Sequence, residues 1–141
     1  MFGMKTVVPA LVFGLACIGA TTRSLAAPSF QAVDCGRAAD QSTMNICAHQ
    51  RFEVADAKLN AAYHALFGKI GPAGQTRLRS AQRAWLAYRD SQCAFETAGT
   101  IDGSIHPMMV SGCMEALTME QTKRLDAQIH CQEGDLSCGG Q

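Results

Sequence analysis

The sequence predicts an all-α domain: an antiparallel helical hairpin followed by a third long helix, the whole stapled by disulfides. Three observations predict it. Apolar residues recur at steps of three and four along two long stretches. A Gly-Pro-Ala-Gly turn separates those stretches. Strand-like alternation and internal repeats are missing from the 141 residues. Hydrophobic content of 48% is ample for a packed core even with 6% aromatics, which excludes wholesale disorder. The 12 basic and 12 acidic residues cancel, which argues against a nucleic-acid binder with its clustered basic excess.

The first helix is expected to begin at Ser42-Thr43-Met44-Asn45, whose side chains can cap it. Its inward face carries Phe52, Ala55, Leu59, Ala62, Tyr63, Leu66, Phe67 and Ile70. Gly68 and Gly71-Pro72-Ala73-Gly74 end it. A second stripe follows at Leu78, Ala81, Trp85, Tyr88, Gln92 and Phe95, with Leu86 and Cys93 on its shoulder. Trp85 and Tyr88 continue this stripe and read as core, with long arginine stems packed beside them. Gly99 to Pro107 reads as a loop. The third stretch runs from about Met108 to His130, with Cys113, Leu117, Leu125 and Ile129 on one side. Thr118-x-x-Gln121 matches a capping box, so this stretch is either one helix or two.

The N-terminus has a basic start at Lys5, an apolar run from Thr6 to Ala20, and small residues at Ser24 and Ala26. That pattern describes a secretory signal peptide, residues 1–26. The apolar run falls short of the ~20 residues that a bilayer span needs. The remaining divisions are a polar leader at 27–41, a disulfide-linked helical domain at 42–131 and a Gly-rich tail at 132–141. Loss of Lys5 and Arg23 leaves ten basic against twelve acidic residues, a formal charge near −2. The chain is therefore expected in the periplasm or secreted.

Seven cysteines cannot all pair within one chain. Cys17 leaves with the signal segment. In a second reading Gly14-Leu15-Ala16-Cys17 is a lipoprotein box and Cys17 carries a lipid, the one route to a membrane that the sequence offers. Either way six remain, in an oxidising compartment that favours disulfides. The absence of C-x-x-C removes sequence support for a zinc ribbon or a thioredoxin-like site. Reflecting the hairpin about residue 70 puts Cys47 level with Cys93, and the loop returns Cys113 toward Cys35. The expected pairs are therefore Cys47–Cys93, Cys35–Cys113 and Cys131–Cys138. The same reflection sets Asp56 opposite Arg83 or a neighbour, an interhelical ion pair.

Catalytic constellations are missing. His49 and Glu53 share a helix face at i, i+4 but lack a third metal ligand. A G-x-S-x-G elbow is absent, and Asp56, Asp90, Glu96 and Asp102 have no obvious cleft to flank. A non-enzymatic protein with no cofactor and no metal is expected.

The string Gln82-Arg83-Ala84-Trp85-x-x-Tyr88-Arg89-Asp90-x-x-Cys93 is specific, and weaker pieces accompany it in order. These are Asp34-Cys35, Ile46-Cys47, Asp56-x-x-Leu59-Asn60-x-x-Tyr63, Gly103-Ser104, Cys113 and Leu117-Thr118. From Asp34 to Leu125 the chain resembles the LprI-like lysozyme-inhibitor family, small exported bacterial helical domains with paired cysteines. Cys131 and Cys138 lie beyond the usual four-cysteine pattern, and Gln121 stands where a basic residue is common. The resemblance implies a protein that binds and inhibits a muramidase stoichiometrically, with the motif residues Asp56, Tyr63, Gln82, Arg83, Trp85, Tyr88, Arg89 and Asp90 mainly structural. The loop residues Asp102, Ser104 and His106 are the expected partner contacts. The alternative is an envelope binding or structural module that inhibits nothing.

Overall fold

The computed structural model describes residues 33–132 and 134–138, which lie in the compact unit Ala32–Gln141. The expected signal peptide, Cys17 and the first residues of the polar leader lie outside the described residues. Three long helices form the unit: α1 (Gln41–Lys69), α2 (Pro72–Glu96) and α3 (His106–Ile129). Short 3-10 turns occur at Cys35–Arg37 and Ala98–Thr100. Among the described residues there is no strand, and no helix is long and apolar enough to cross a membrane.

The cap of α1 is Asp40, two residues before the expected Ser42. Its carboxylate accepts from the Thr43 amide at 2.9 Å and from the Thr43 hydroxyl at 2.7 Å. An acidic side chain here satisfies an orphan amide and opposes the positive end of the helix dipole. The Thr43 amide, aided by its hydroxyl, holds the Asp40 pKa below the ordinary carboxylate value of 3.8. The stabilisation is therefore complete above pH 3.8 and lost as pH falls through the lowered value. Asp40→Ala is expected to lower the melting temperature at neutral pH, and the gap from wild type should narrow in a titration below pH 3.8.

α1 ends at Lys69, and only Ile70 and Gly71 separate it from α2. Pro72 opens α2, where its fixed φ and missing N–H fit the first helical turn. The side-chain amide of Gln75 reaches back to donate to the Phe67 carbonyl at 3.0 Å and closes the turn. So short a connection makes α1 and α2 antiparallel, as the sequence predicts. At the far end Thr97 caps α2: its hydroxyl donates to the Cys93 carbonyl at 2.7 Å.

α3 then runs parallel to α1. Arg51 meets Glu115 at 3.3 Å, and Lys69 donates to the Ile129 carbonyl at 2.9 Å, so both helices advance together. Their seam is built of buried residues at seven-residue intervals, small except for the last: Ala48, Ala55 and Ala62 on α1, Ser111, Thr118 and Leu125 on α3. A seven-residue period keeps one stripe facing the partner helix, and small side chains let the backbones approach. α1 and α2 stay further apart, because Phe52, Tyr63, Trp85 and Arg89 fill the space between them.

α3 is continuous, which resolves the choice between one helix and two. Thr118 is not a cap. It is fully buried on the seam, and its hydroxyl has no hydrogen-bond partner. Thr118→Val keeps the shape and removes the unsatisfied hydroxyl, so it should stabilise the fold by about 1 kcal/mol in urea titration.

The apolar core, Leu59, Ala62, Leu66, Ile70 and Leu125, sits toward the hairpin turn. Two disulfides secure the opposite end, and here the expected pairing is corrected. Cys35 bonds Cys47 and Cys93 bonds Cys113; neither Cys47–Cys93 nor Cys35–Cys113 forms. A disulfide needs Cα atoms roughly 4.4–6.8 Å apart. The side chains wedged between α1 and α2 hold their backbones too far apart for Cys47 and Cys93. Instead the Cys35–Arg37 turn folds back onto the start of α1, and Cys93 faces the first turns of α3. Cys131 bonds Cys138 across the short tail.

The face of α2 also differs from the expected one. Its inward positions are Gly74, Leu78, Gln82, Trp85, Arg89, Cys93 and Thr97, while Tyr88 and Phe95 are 53% and 78% exposed. Tyr88 is therefore not a core residue. A buried arginine occupies the position that the hydrophobic stripe would have given to Tyr88.

Candidate interaction surface

Between α2 and α3 the chain makes a nine-residue connection from Thr97 to Ile105, bracketed by the Cys93–Cys113 disulfide. Internal bonds fix its shape. The Gly103 amide donates to the Thr100 carbonyl at 2.8 Å, and a Cβ at Gly103 would meet that same oxygen at 3.2 Å. This close turn suits glycine. From α1, Asn45 donates its side-chain amide to the Ser104 carbonyl at 2.9 Å. His106 is the first residue of α3, half-buried, with Nδ1 2.9 Å from the Thr100 hydroxyl. Its role here is to brace the loop. Asp102 and Ser104 are exposed on the turn, as a contact residue must be.

Large apolar side chains are exposed in the same stretch of chain. Phe95 is 78% exposed and Ile101 66%, with Ile105 and Met109 also exposed. Exposed apolar groups within one short, rigid segment mark a protein-binding surface better than scattered ones do. The sequence stripe had assigned Phe95 to the core, so this part of the surface was missed.

A second signal in the sequence is the segregation of its charges. Residues 57–89 contain six Lys and Arg and no acid; residues 90–122 contain five acids and no Lys or Arg. Folding carries part of that division into space, although α3 takes Glu120 back away from the loop. Lys69, Arg77, Arg79 and Arg83 lie toward the hairpin turn, and Asp90, Glu96 and Asp102 lie toward the loop. The loop surface is thus apolar with an acidic border.

The motif residues assemble elsewhere. Asp56, Tyr63, Gln82, Arg83 and Arg89 line a groove of about 440 Å³ between α1 and α2. Arg89 pairs with Asp56 at 3.2 Å and Asp90 at 3.0 Å, and its guanidinium lies 5.3 Å from the ring centroids of both Phe52 and Trp85. The interhelical pair expected for Asp56 forms, with Arg89 in place of Arg83. The hairpin reflects about its turn beyond Lys69, which moves the partner later in α2, and Arg89 is the arginine on the inward face. Tyr88 points away from this group.

A larger concavity of about 710 Å³ flanks the α1–α3 seam beside Cys35–Cys47. Its lining mixes Val54, Ala55 and Met119 with Lys58, Lys123 and the cross-helix pair Arg51–Glu115, which bridges α1 and α3. His49 and Glu53 stand 3.6 Å apart, both exposed. Cys131, Asp135 and Cys138 cluster, but both sulfurs are held in their disulfide.

A family model described as lysozyme inhibitor LprI matches residues 35–125. The chain is also 37% identical to an uncharacterized protein of Rhizobium meliloti (strain 1021), across 86% of this chain and 94% of that protein. No solved structure matches.

Proposed function

Because the chain belongs to the lysozyme inhibitor LprI family, we propose that it is an exported protein that inhibits a muramidase by stoichiometric binding, with no turnover of its own. The single observation that carries this reading is the disulfide-bracketed segment Cys93–Cys113, which exposes Ile101 and Ile105 with Asp102 on its loop and Phe95 and Met109 on the helix ends that flank it. Rigidity matters because a loop already ordered loses little entropy on binding. The acidic border favours a basic partner, and animal lysozymes are strongly basic. Attraction of that kind raises the association rate and weakens with salt. Phe95 and Ile101 are the proposed anchors, Asp102 and Ser104 the polar contacts, and His106 the brace.

The test is lysis of cell walls by lysozyme in the presence of the mature protein. Wild type is expected to slow lysis at micromolar excess. Phe95→Ala and Ile101→Ala should each weaken inhibition by about tenfold or more, the effect of losing an interface anchor. Leu136→Ala, a fully exposed position in the tail, should inhibit like wild type. Uninhibited lysis with the wild-type protein would overturn the proposal.

A further inference from the structure

The groove between α1 and α2 has features that a purely structural role does not need. Arg79 and Arg83 line it with exposed side chains and have no acidic partner among the described residues. Arg79 stacks over Phe67 at 5.1 Å, which fixes its stem and leaves its N–H groups available. Asp56 is the single carboxylate on the wall and is already taken, by Arg89 and by Asn60, which donates to it at 2.9 Å. The groove is therefore electropositive with no internal counter-charge to spare. Beside the arginines the Oε1 of Gln82 is buried without a hydrogen-bond partner. An unpaired buried acceptor is destabilising unless a donor reaches it.

We infer that this groove binds the carboxylate end of an acylated amino acid or peptide. Arg79 and Arg83 supply charge-assisted donors to the carboxylate, the interaction for which the guanidinium fork is suited. A rotation of the Gln82 side chain toward the groove would let the amide N–H next to that carboxylate supply the donor that its buried Oε1 lacks. A bare inorganic anion meets only the first requirement. This site lies on the basic side of the molecule, separate from the loop surface, and stands or falls independently of lysozyme binding.

Trp85 is the one tryptophan and touches Arg89 at the groove, so its emission is a built-in probe. Acetyl-alanyl-alanine with a free carboxylate should change that emission saturably, with a dissociation constant of about 1 mM or tighter. Calorimetry on the same mixture gives an independent reading. The C-terminal amide of the peptide, and inorganic phosphate, should each bind at least about tenfold more weakly. Arg79→Gln with Arg83→Gln should weaken binding about tenfold with an unchanged melting temperature, and Gln82→Met should weaken it as well. Preference for the D,D-peptide identifies cell-wall stem peptides as the source of the ligand, and preference for the L,L-peptide identifies protein C-termini. Absence of saturable binding by both methods, or equal binding of the amide or of phosphate, overturns the inference.

Discussion

Replacing Arg89 with Met should lower the unfolding free energy by about 2–4 kcal/mol, read as a drop in the urea midpoint with little change in slope. The side chain is 10% exposed and serves three functions at once: it bridges α1 to α2 through Asp56, it pairs with Asp90, and it fills space against Phe52 and Trp85. Removal of one partner from a buried pair costs more than the pair contributes, because the remaining charge is left behind. Two facts moderate the loss. The carboxylates of Asp56 and Asp90 are 36% and 56% exposed, so water can take over part of their solvation. Met also restores some of the contact with the rings. Arg89→Lys should recover only part, since an ammonium cannot span both carboxylates as a planar fork does. A double-mutant cycle with Asp56→Asn should show coupling of about 1 kcal/mol or more; additivity would show that Arg89 acts by packing alone.

The second large effect is expected from Cys93→Ala with Cys113→Ala. The bond closes a separation of 20 residues, for which the loop-entropy relation gives about 3 kcal/mol. Cys93 is fully buried, so its removal also leaves a small void. Chemical denaturation should show the stability loss. The proposed inhibitory activity should fall further than global stability alone explains, because the bond frames the loop. In contrast, removing Cys131–Cys138 with its separation of 7 should leave inhibition intact. Equal loss from both pairs would show that the loop gains nothing from its bracket.

The contrast between α1 and α2 shows what the sequence exposes. On α1 the inward positions are apolar or small, and the period alone identifies Ala55, Leu59, Ala62 and Leu66, with Ile70 just past its end. On α2 the inward face includes Gln82, whose Oε1 stays unpartnered, and Arg89, whose burial is permitted by ion pairs and ring contacts, and it ends on Thr97, buried as the cap. Hydrophobicity cannot anticipate a charge that finds its partners only after folding, so the apparent stripe was drawn through Tyr88 and Phe95. The cysteine pairing was missed for a related reason. Equal height along a hairpin says nothing about the separation between helices, and that separation is set by the bulky residues between α1 and α2. The loop was legible as a loop, but its apolar surface depended on Phe95 being turned outward. The charge blocks at 57–89 and 90–122 were legible throughout and needed only a count taken by segment.

Those blocks give the folded molecule a dipole moment that its near-neutral total conceals. In the field of a cationic protein such a dipole experiences a torque before any surfaces touch, so arrival is oriented with the acidic loop leading. An anionic surface would turn the molecule the other way and hold its arginine-rich flank inward. Under the proposed function, a negatively charged envelope and an incoming basic enzyme would align the chain together, its loop directed outward toward the enzyme.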